Sequence, residues 1–269
     1  MRRSEPRESK GNAMSEKLEN AKNLYLQGIK EGNVEVVKEF SGSCYTQHST
    51  GVADGAQGFI DFFEGFLKRT KDRDIRIIRS IEDGNFIFVQ VYQDIDNGQA
   101  KWITTDLFDT DENDKLIEHW DVISAYKEAN DTVSGNDMIL GDFEIKDLDK
   151  TEKNKALVRS FFVDVFQNAN HVALKEYVSA EKYIQHNPNV PDGIEAVRQF
   201  LATQDFNYDF IFNVIGQGDH VVSYSKGTFN GEELAVFDLF RIENGKIVEH
   251  WDNMEPIPPR SEWANTGKF

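Results

Sequence analysis

The chain has 269 residues, 39% of them hydrophobic and 12% aromatic, which suffices for one large core or two of ordinary size. Its 47 acidic against 30 basic residues leave a formal charge of −17, arguing against nucleic acid or an anionic membrane as partner. The lone Cys44 excludes an intrachain disulfide and a cysteine-built metal cage, and no run approaches the roughly 18 apolar residues that suggest a membrane span.

The opening MRRSEPRESKGNAMSEK has arginines but no apolar stretch behind them, so it does not read as an export signal. A cytoplasmic location is expected, with residues 1–14 a disordered leader and Met14 a candidate start. SEKLENAKNLYLQGIKEG then sets Leu18, Ala21, Leu24, Tyr25 and Gly28 on one face and predicts a helix. YTQHSTGVADG, Tyr45 to Gly55, precedes strand-like segments that include TDLF at Thr105 and KLIEHWD at Lys115. After an acidic stretch at 129–148 the same order begins again. TEKNKALVRSFFVDVF carries Ala156, Leu157, Phe161 and Val165 at helical spacing. In YIQHNPNVPDG, Asp192 is the expected N-cap of a helix through IEAVRQFLATQ. Four strands follow, separated by Gly-Asp and two Asn-Gly turn signals.

Tyr45–Gly55 matches Tyr183–Gly193 without a gap, TDLF recurs as FDLF at Phe237, and KLIEHWD recurs as KIVEHWD at Lys246. A repeat of this length is a duplicated domain, not a solenoid. The copies are placed at 15–128 and 149–258, with a linker at 129–148 and a tail at 259–269. Helices followed by an antiparallel meander predict an α+β fold in each. Few strand positions are polar, so the second sheet face is expected to be buried too, against the other copy.

YIQHNP, the Asp-Gly helix after it and the closing DLFRIENGKIVEHWD resemble SnoaL-like proteins of the NTF2-like superfamily, and both halves share the resemblance. It implies two tandem NTF2-like cone domains, each with N-terminal helices packed on a curved antiparallel sheet around a pocket. It further implies general acid/base chemistry of the polyketide-cyclase kind, in which an Asp assisted by a His works without metal or cofactor. The superfamily also holds isomerases, dehydratases, epoxide hydrolases and non-catalytic members, so fold alone does not choose among them.

The turn at Asn244-Gly245 decides which face the acids take. A two-residue loop would set Asp238 opposite Trp251 and turn His250 away. A three-residue loop from Glu243 to Gly245 would set Asp238 opposite His250, with Asp252 two residues on along the same face. A four-residue loop from Asp111 to Asp114 gives the same pairing to Asp106 and His119, so this register is favoured. Asp238 then shares a face with Val236, Phe240, Ile242 and Val248, where desolvation raises its pKa. The catalytic candidates are Asp238, His250, Asp252 and, at the pocket mouth, His186, with Asp106, His119, Asp121 and His48 their counterparts. Tyr183, Phe240 and Val236 are candidate substrate contacts. Trp251 and Trp120 are expected on the opposite sheet face, and Glu249 in a cross-sheet pair.

Three functions fit these residues. One is a cofactor-independent acid/base enzyme acting on a small apolar carbonyl compound by aldol closure, isomerisation or dehydration. The second is a protein that binds a small apolar ligand without chemistry. The third, ranked last, is a metal site at His186, Asp238, His250 and Asp252. Thr104 and Thr105 make the first pocket more polar, so the second is the favoured site. Sheet-to-sheet pairing of the copies predicts a monomer with pseudo-dimeric domains, or a homodimer of such chains.

Overall fold

The computed structural model describes residues 14–269, so all of the expected leader except Met14 lies outside the described residues. In the first half, α1 (Glu16–Asn23) begins at Ser15, whose hydroxyl accepts from the Leu18 amide, and passes into a π-helical segment, Leu24–Lys30. Next come α2 (Val36–Phe40), β1 (Ser41–Gln47) and α3 (Gly55–Arg69). The strands β2 (Arg73–Asp83), β3 (Phe86–Ile95), β4 (Ala100–Thr110) and β5 (Leu116–Ala125) complete this unit. The second half repeats the plan with α4 (Thr151–Phe161), a π-helical segment at Phe162–Gln167, α5 (Leu174–Tyr177), β6 (Ile184–Gln185) and α6 (Ile194–Thr203). Its strands are β7 (Phe206–Gln217), β8 (His220–Phe229), β9 (Glu232–Glu243) and β10 (Lys246–Pro256). Among the described residues no helix is long and apolar enough to cross a membrane.

Each unit is α+β, as the sequence predicts, with one five-stranded sheet ordered β1-β5-β4-β3-β2 or β6-β10-β9-β8-β7. The sheets are mixed: four strands form the antiparallel meander, and β1 or β6 adds in parallel at the edge beside β5 or β10. One face of each sheet takes the helices. Leu24, Phe59 and Phe63 pack there on Val89 and Phe108 in unit one, and Phe161, Phe162 and Val165 on Val236 and Phe240 in unit two. Asp192 does not cap α6, which starts from Gly193; its carboxylate accepts from the Gln185 amide at 2.7 Å and ties the loop after β6. In unit one Asp54 does both, accepting from the Gly55 amide at the start of α3 and from the Gln47 amide.

The other sheet faces meet each other, as their apolar character suggests. Ile81, Phe88, Leu107, Trp120 and Val122 of unit one pack on Ile215, Tyr224, Phe237, Leu239 and Trp251 of unit two. Burial of each large side chain there is worth about 1.5–3 kcal/mol, so the shared core is a principal source of cohesion. Asn253 is its polar node: Nδ2 donates to the carbonyls of Val122 at 2.9 Å and Ile103 at 3.1 Å, while Oδ1 accepts from Ser124.

The closing hairpins differ from the favoured register. Asn244 and Gly245 have φ of 51° and 75°, the left-handed pair of a two-residue turn, and Glu243 pairs with Lys246. Val248 is then an extra residue, a bulge between the pairs Ile247–Ile242 and Glu249–Arg241. It reverses the facing of everything beyond it, so Asp238 lies opposite Asp252 and His250 opposite Phe240. Ile117 is the extra residue in unit one, where Asp106 lies opposite Asp121 and His119 opposite Phe108. The Asp and His residues thus share a face as expected, but each Asp pairs directly with the second Asp. Asn253→Ala would strand the buried Ile103 and Val122 carbonyls of unit one and is expected to cost about 1–3 kcal/mol in urea unfolding.

Candidate active site

Asp238 sits on the helix-facing side of β9 and is only 1% exposed. His250 Nε2 lies 2.9 Å from its Oδ1, and the Tyr208 hydroxyl on β7 donates to its Oδ2 at 2.8 Å. The rings of Phe162 and Phe166 pack on Tyr208, and Phe240 stacks on His250 with centroids 5.0 Å apart. Phe162 and Phe166 both come from the π-helical segment, where the wider turn brings them towards the sheet.

The hydrogen bonds around His250 fix its protons. The Asn187 amide donates to Gln185 Oε1 at 2.9 Å, so that atom is an acceptor. His250 Nδ1, 2.9 Å from the same oxygen, must therefore donate to it. Its Nε2 faces the Asp238 carboxylate, so the pair holds one proton between them beyond the one on Nδ1. Burial works against a charged imidazole, but the Asp238 bond and the charges of Asp252 and Asp238 outweigh it and raise the His250 pKa. Asp252 is half-buried and accepts from Asn187 Nδ2 at 2.6 Å. Burial pushes its carboxyl up to about 6, with His250 opposing and Asp238 assisting. Burial and Asp238 hold the Tyr208 hydroxyl well above its usual range.

Unit one builds a related but different cluster. His119 Nε2 lies 2.8 Å from Asp106 Oδ1, and the Tyr25 hydroxyl, carried on the π-helical segment, donates to the same carboxylate at 2.9 Å. His119 Nδ1 is buried without a hydrogen-bond partner, where His250 has Gln185. Burial pushes the Asp106 carboxyl up against the bonds from His119 and Tyr25. Asp121 meets Lys268 from the tail, whose ammonium donates to Oδ1 at 3.0 Å and to the Asp121 carbonyl at 2.8 Å. Burial opposes an ionised Asp121, but Lys268 and then His119 outweigh it and leave this carboxyl below its usual range.

His186 and His48 do not join these clusters. Both lie on the opposite sheet face, against Trp251 or Trp120. His186 stacks on Trp251 at 4.8 Å, with Nδ1 donating to the Asp137 carbonyl and Nε2 2.8 Å from Glu249. His48 stacks on Trp120 at 5.0 Å, with Nδ1 donating to the Gly267 carbonyl and Nε2 2.8 Å from Glu118. Glu249 also takes the cross-sheet pair expected of it, with Arg241 Nη2 at 2.7 Å. Tyr183, Val236 and Phe240 line the same apolar interior as Tyr208. Sequence reasoning missed Tyr208, Tyr25, Asn187 and Lys268 as partners of the acids. The two tyrosines come from different elements in the two units, so no repeat marks them.

The four-residue metal set fails because His186 is on the wrong face. Asp238, His250 and Asp252 offer ligand atoms within 4.8 Å of one another, the one such group among the described residues. A cation there would have to displace the Asp238–His250 bond.

The family model described as the SnoaL-like domain matches residues 158–250. This part of the chain is similar to SnoaL-like domains. The match runs from α4 to His250 and includes Tyr208, Asp238 and Gln185, and unit one has the same strand order. Among solved structures, the chain is similar to an NTF2-like protein of unknown function from Mesorhizobium loti, at 24% identity over 42% of this chain and 99% of that one, TM-score 0.35. A second, from Cytophaga hutchinsonii, is 17% identical over 43% and 95%, TM-score 0.34. An LEH-like epoxide hydrolase of M. tuberculosis is 15% identical over 39% and 85%, TM-score 0.35. No curated protein matches the sequence.

The raised Asp252 carboxyl has a stability consequence. The folded chain holds this proton up to about pH 6, the unfolded chain only to its ordinary value near 4, so stability falls as pH rises between them. Asp252→Asn is expected to stabilise the protein at pH 7.5 by about 1–2 kcal/mol, allowing for solvent screening at this half-buried group. Urea titrations at pH 7.5 and 4.5 check this, the gain shrinking at the lower pH.

Proposed function

We propose that the SnoaL-like domain of unit two is a cofactor-independent acid/base catalyst that abstracts a proton next to the carbonyl of a small apolar compound. The observation that carries this reading is the arrangement of Asp252 with a raised carboxyl opposite Asp238 and next to a doubly hydrogen-bonded His250. Asp238, sealed at 1% exposure and bound to Tyr208 and His250, orients the imidazole and balances its charge. Asp252 is the more accessible carboxylate, ionised at neutral pH yet basic enough to take a C–H proton. His250 then supplies a proton to the enolate oxygen, drawing on the Asp238 pair. The aromatic interior with Val236, Phe240 and Tyr183 suits an apolar substrate. The enolate can close on a second carbonyl, be reprotonated elsewhere or expel water, which covers aldol, isomerase and dehydratase outcomes. The same reading divides the chain at 15–128 and 149–258, with the active site in the second part.

A binding role without chemistry is the second reading, favoured by the low exposure of Asp238 and of His250, at 8%. The two are separated by NMR-monitored deuterium exchange on a panel of ketones and β-diketones. Catalysed exchange is expected in the wild type and should fall about 10²–10⁴-fold in Asp252→Asn. Exchange at the buffer rate for every panel member would leave the binding role. The rate should rise as Asp252 ionises through about pH 6 and fall again once His250 loses its proton, at a pH above its ordinary value. Asp252→Asn should remove the acidic limb alone from whatever activity remains.

A further inference from the structure

After the last strand of each unit the chain crosses to the other unit and lies along the loop that carries its first histidine. The segment after β5 docks on unit two, where the Val133 amide donates to the Pro188 carbonyl at 2.9 Å and the Asp137 carbonyl accepts from His186. The segment after β10 docks on unit one in the same way, with the Ala264 amide donating to the Thr50 carbonyl at 2.8 Å and the Gly267 carbonyl accepting from His48. The two straps are exchanged like the arms of a two-fold dimer.

Their far ends differ. The first strap is pinned beside Trp251. The Leu140 carbonyl accepts from Trp251 Nε1 at 2.7 Å, and Arg79 of unit one sits between Trp251 and Phe143. The second ends on the acids of unit one. Lys268, 3% exposed, spends its ammonium protons on Asp121 and on Glu255 of β10. Phe269 packs on Tyr224 and Phe210, each at 4.9 Å, and the Tyr224 hydroxyl donates to the Lys268 carbonyl. Asn265 Nδ2 donates to the carbonyls of Ser49 and Val52 on the loop beside the site.

We propose that residues 257–269 form a latch over the acid cluster of unit one, and that ligand reaches Asp106 and His119 only when the latch lifts. This rests on reading the Asp–His pairs as sites. Lys268 occupies the carboxylate that corresponds to Asp252 of unit two, whose donor is the uncharged Asn187 amide, so the latched protein offers Asp252 but not Asp121. The hold is reversible in kind. A buried ammonium regains its hydration on leaving, which offsets much of the attraction it loses. Beyond a single 3-10 turn at Arg260–Glu262 the segment has no regular structure to unravel.

Diethyl pyrocarbonate labelling of the full-length protein, read residue by residue by mass spectrometry, tests the latch. Lys268→Met is expected to raise labelling of His48 and His119 about tenfold, as local opening becomes more populated. His186 under the first strap and His250 should not change. Asn265→Ala, which leaves Lys268 with both of its carboxylates, should move the same two histidines in the same direction. Unchanged His48 and His119 in both variants would overturn the latch. So would a rise at all four histidines, which means general loosening, or wild-type His48 labelled as readily as the half-exposed His171. Labelling reads the latch whether or not unit two turns over a ketone, and the exchange assay reads the site whether or not the latch lifts.

Discussion

The extra residue in each closing hairpin, Val248 in one unit and Ile117 in the other, sets the facing of the strand beyond it. A two-residue turn matches the twist of the sheet, but without the bulge it would aim His250 and Asp252 into the contact between the units. There they would be unpartnered among Tyr224, Phe237 and Leu239. With the bulge, Trp251 enters that contact and the acids enter the cone. One inserted residue therefore serves both the cohesion of the two units and the chemistry of their interiors.

Much of the fold was legible because it is written twice. Matching segments around Tyr45 and Tyr183, and around Lys115 and Lys246, mark the duplication and the order of elements, and the apolar strands on both sides imply a covered second face. The register was not legible. Shifting an antiparallel pair by two residues preserves every side chain's facing, so alternation places Asp238, His250 and Asp252 together while leaving their pairing open. The edge strands β1 and β6 escaped notice because they pair in parallel and one has only two residues. His186 and His48 were misplaced for a related reason: a histidine in a loop has no periodicity to reveal its face.

The two acid clusters diverge through their surroundings more than through their own residues. The sequence suggested that Thr104 and Thr105 would make the first the more polar. What separates them most is a neighbour far along the chain, since Lys268 neutralises Asp121 while Asn187, a local and uncharged donor, serves Asp252. The second difference is the imidazole's outer partner, present for His250 as Gln185 and missing for His119. The same Asp–His–Asp arrangement is thus compatible with one carboxyl raised and its counterpart lowered.

The exchange of straps makes the repeat and the folding unit different objects. Cutting between the copies at the linker would leave the second without the segment that covers His186 and Trp251, and the first without the residues that satisfy His48 and Asp121. Each half holds part of the other's wall. The repeat supplies two copies of one design, and the crossing of their ends ties each copy's histidine to the backbone of a segment that follows the other's last strand.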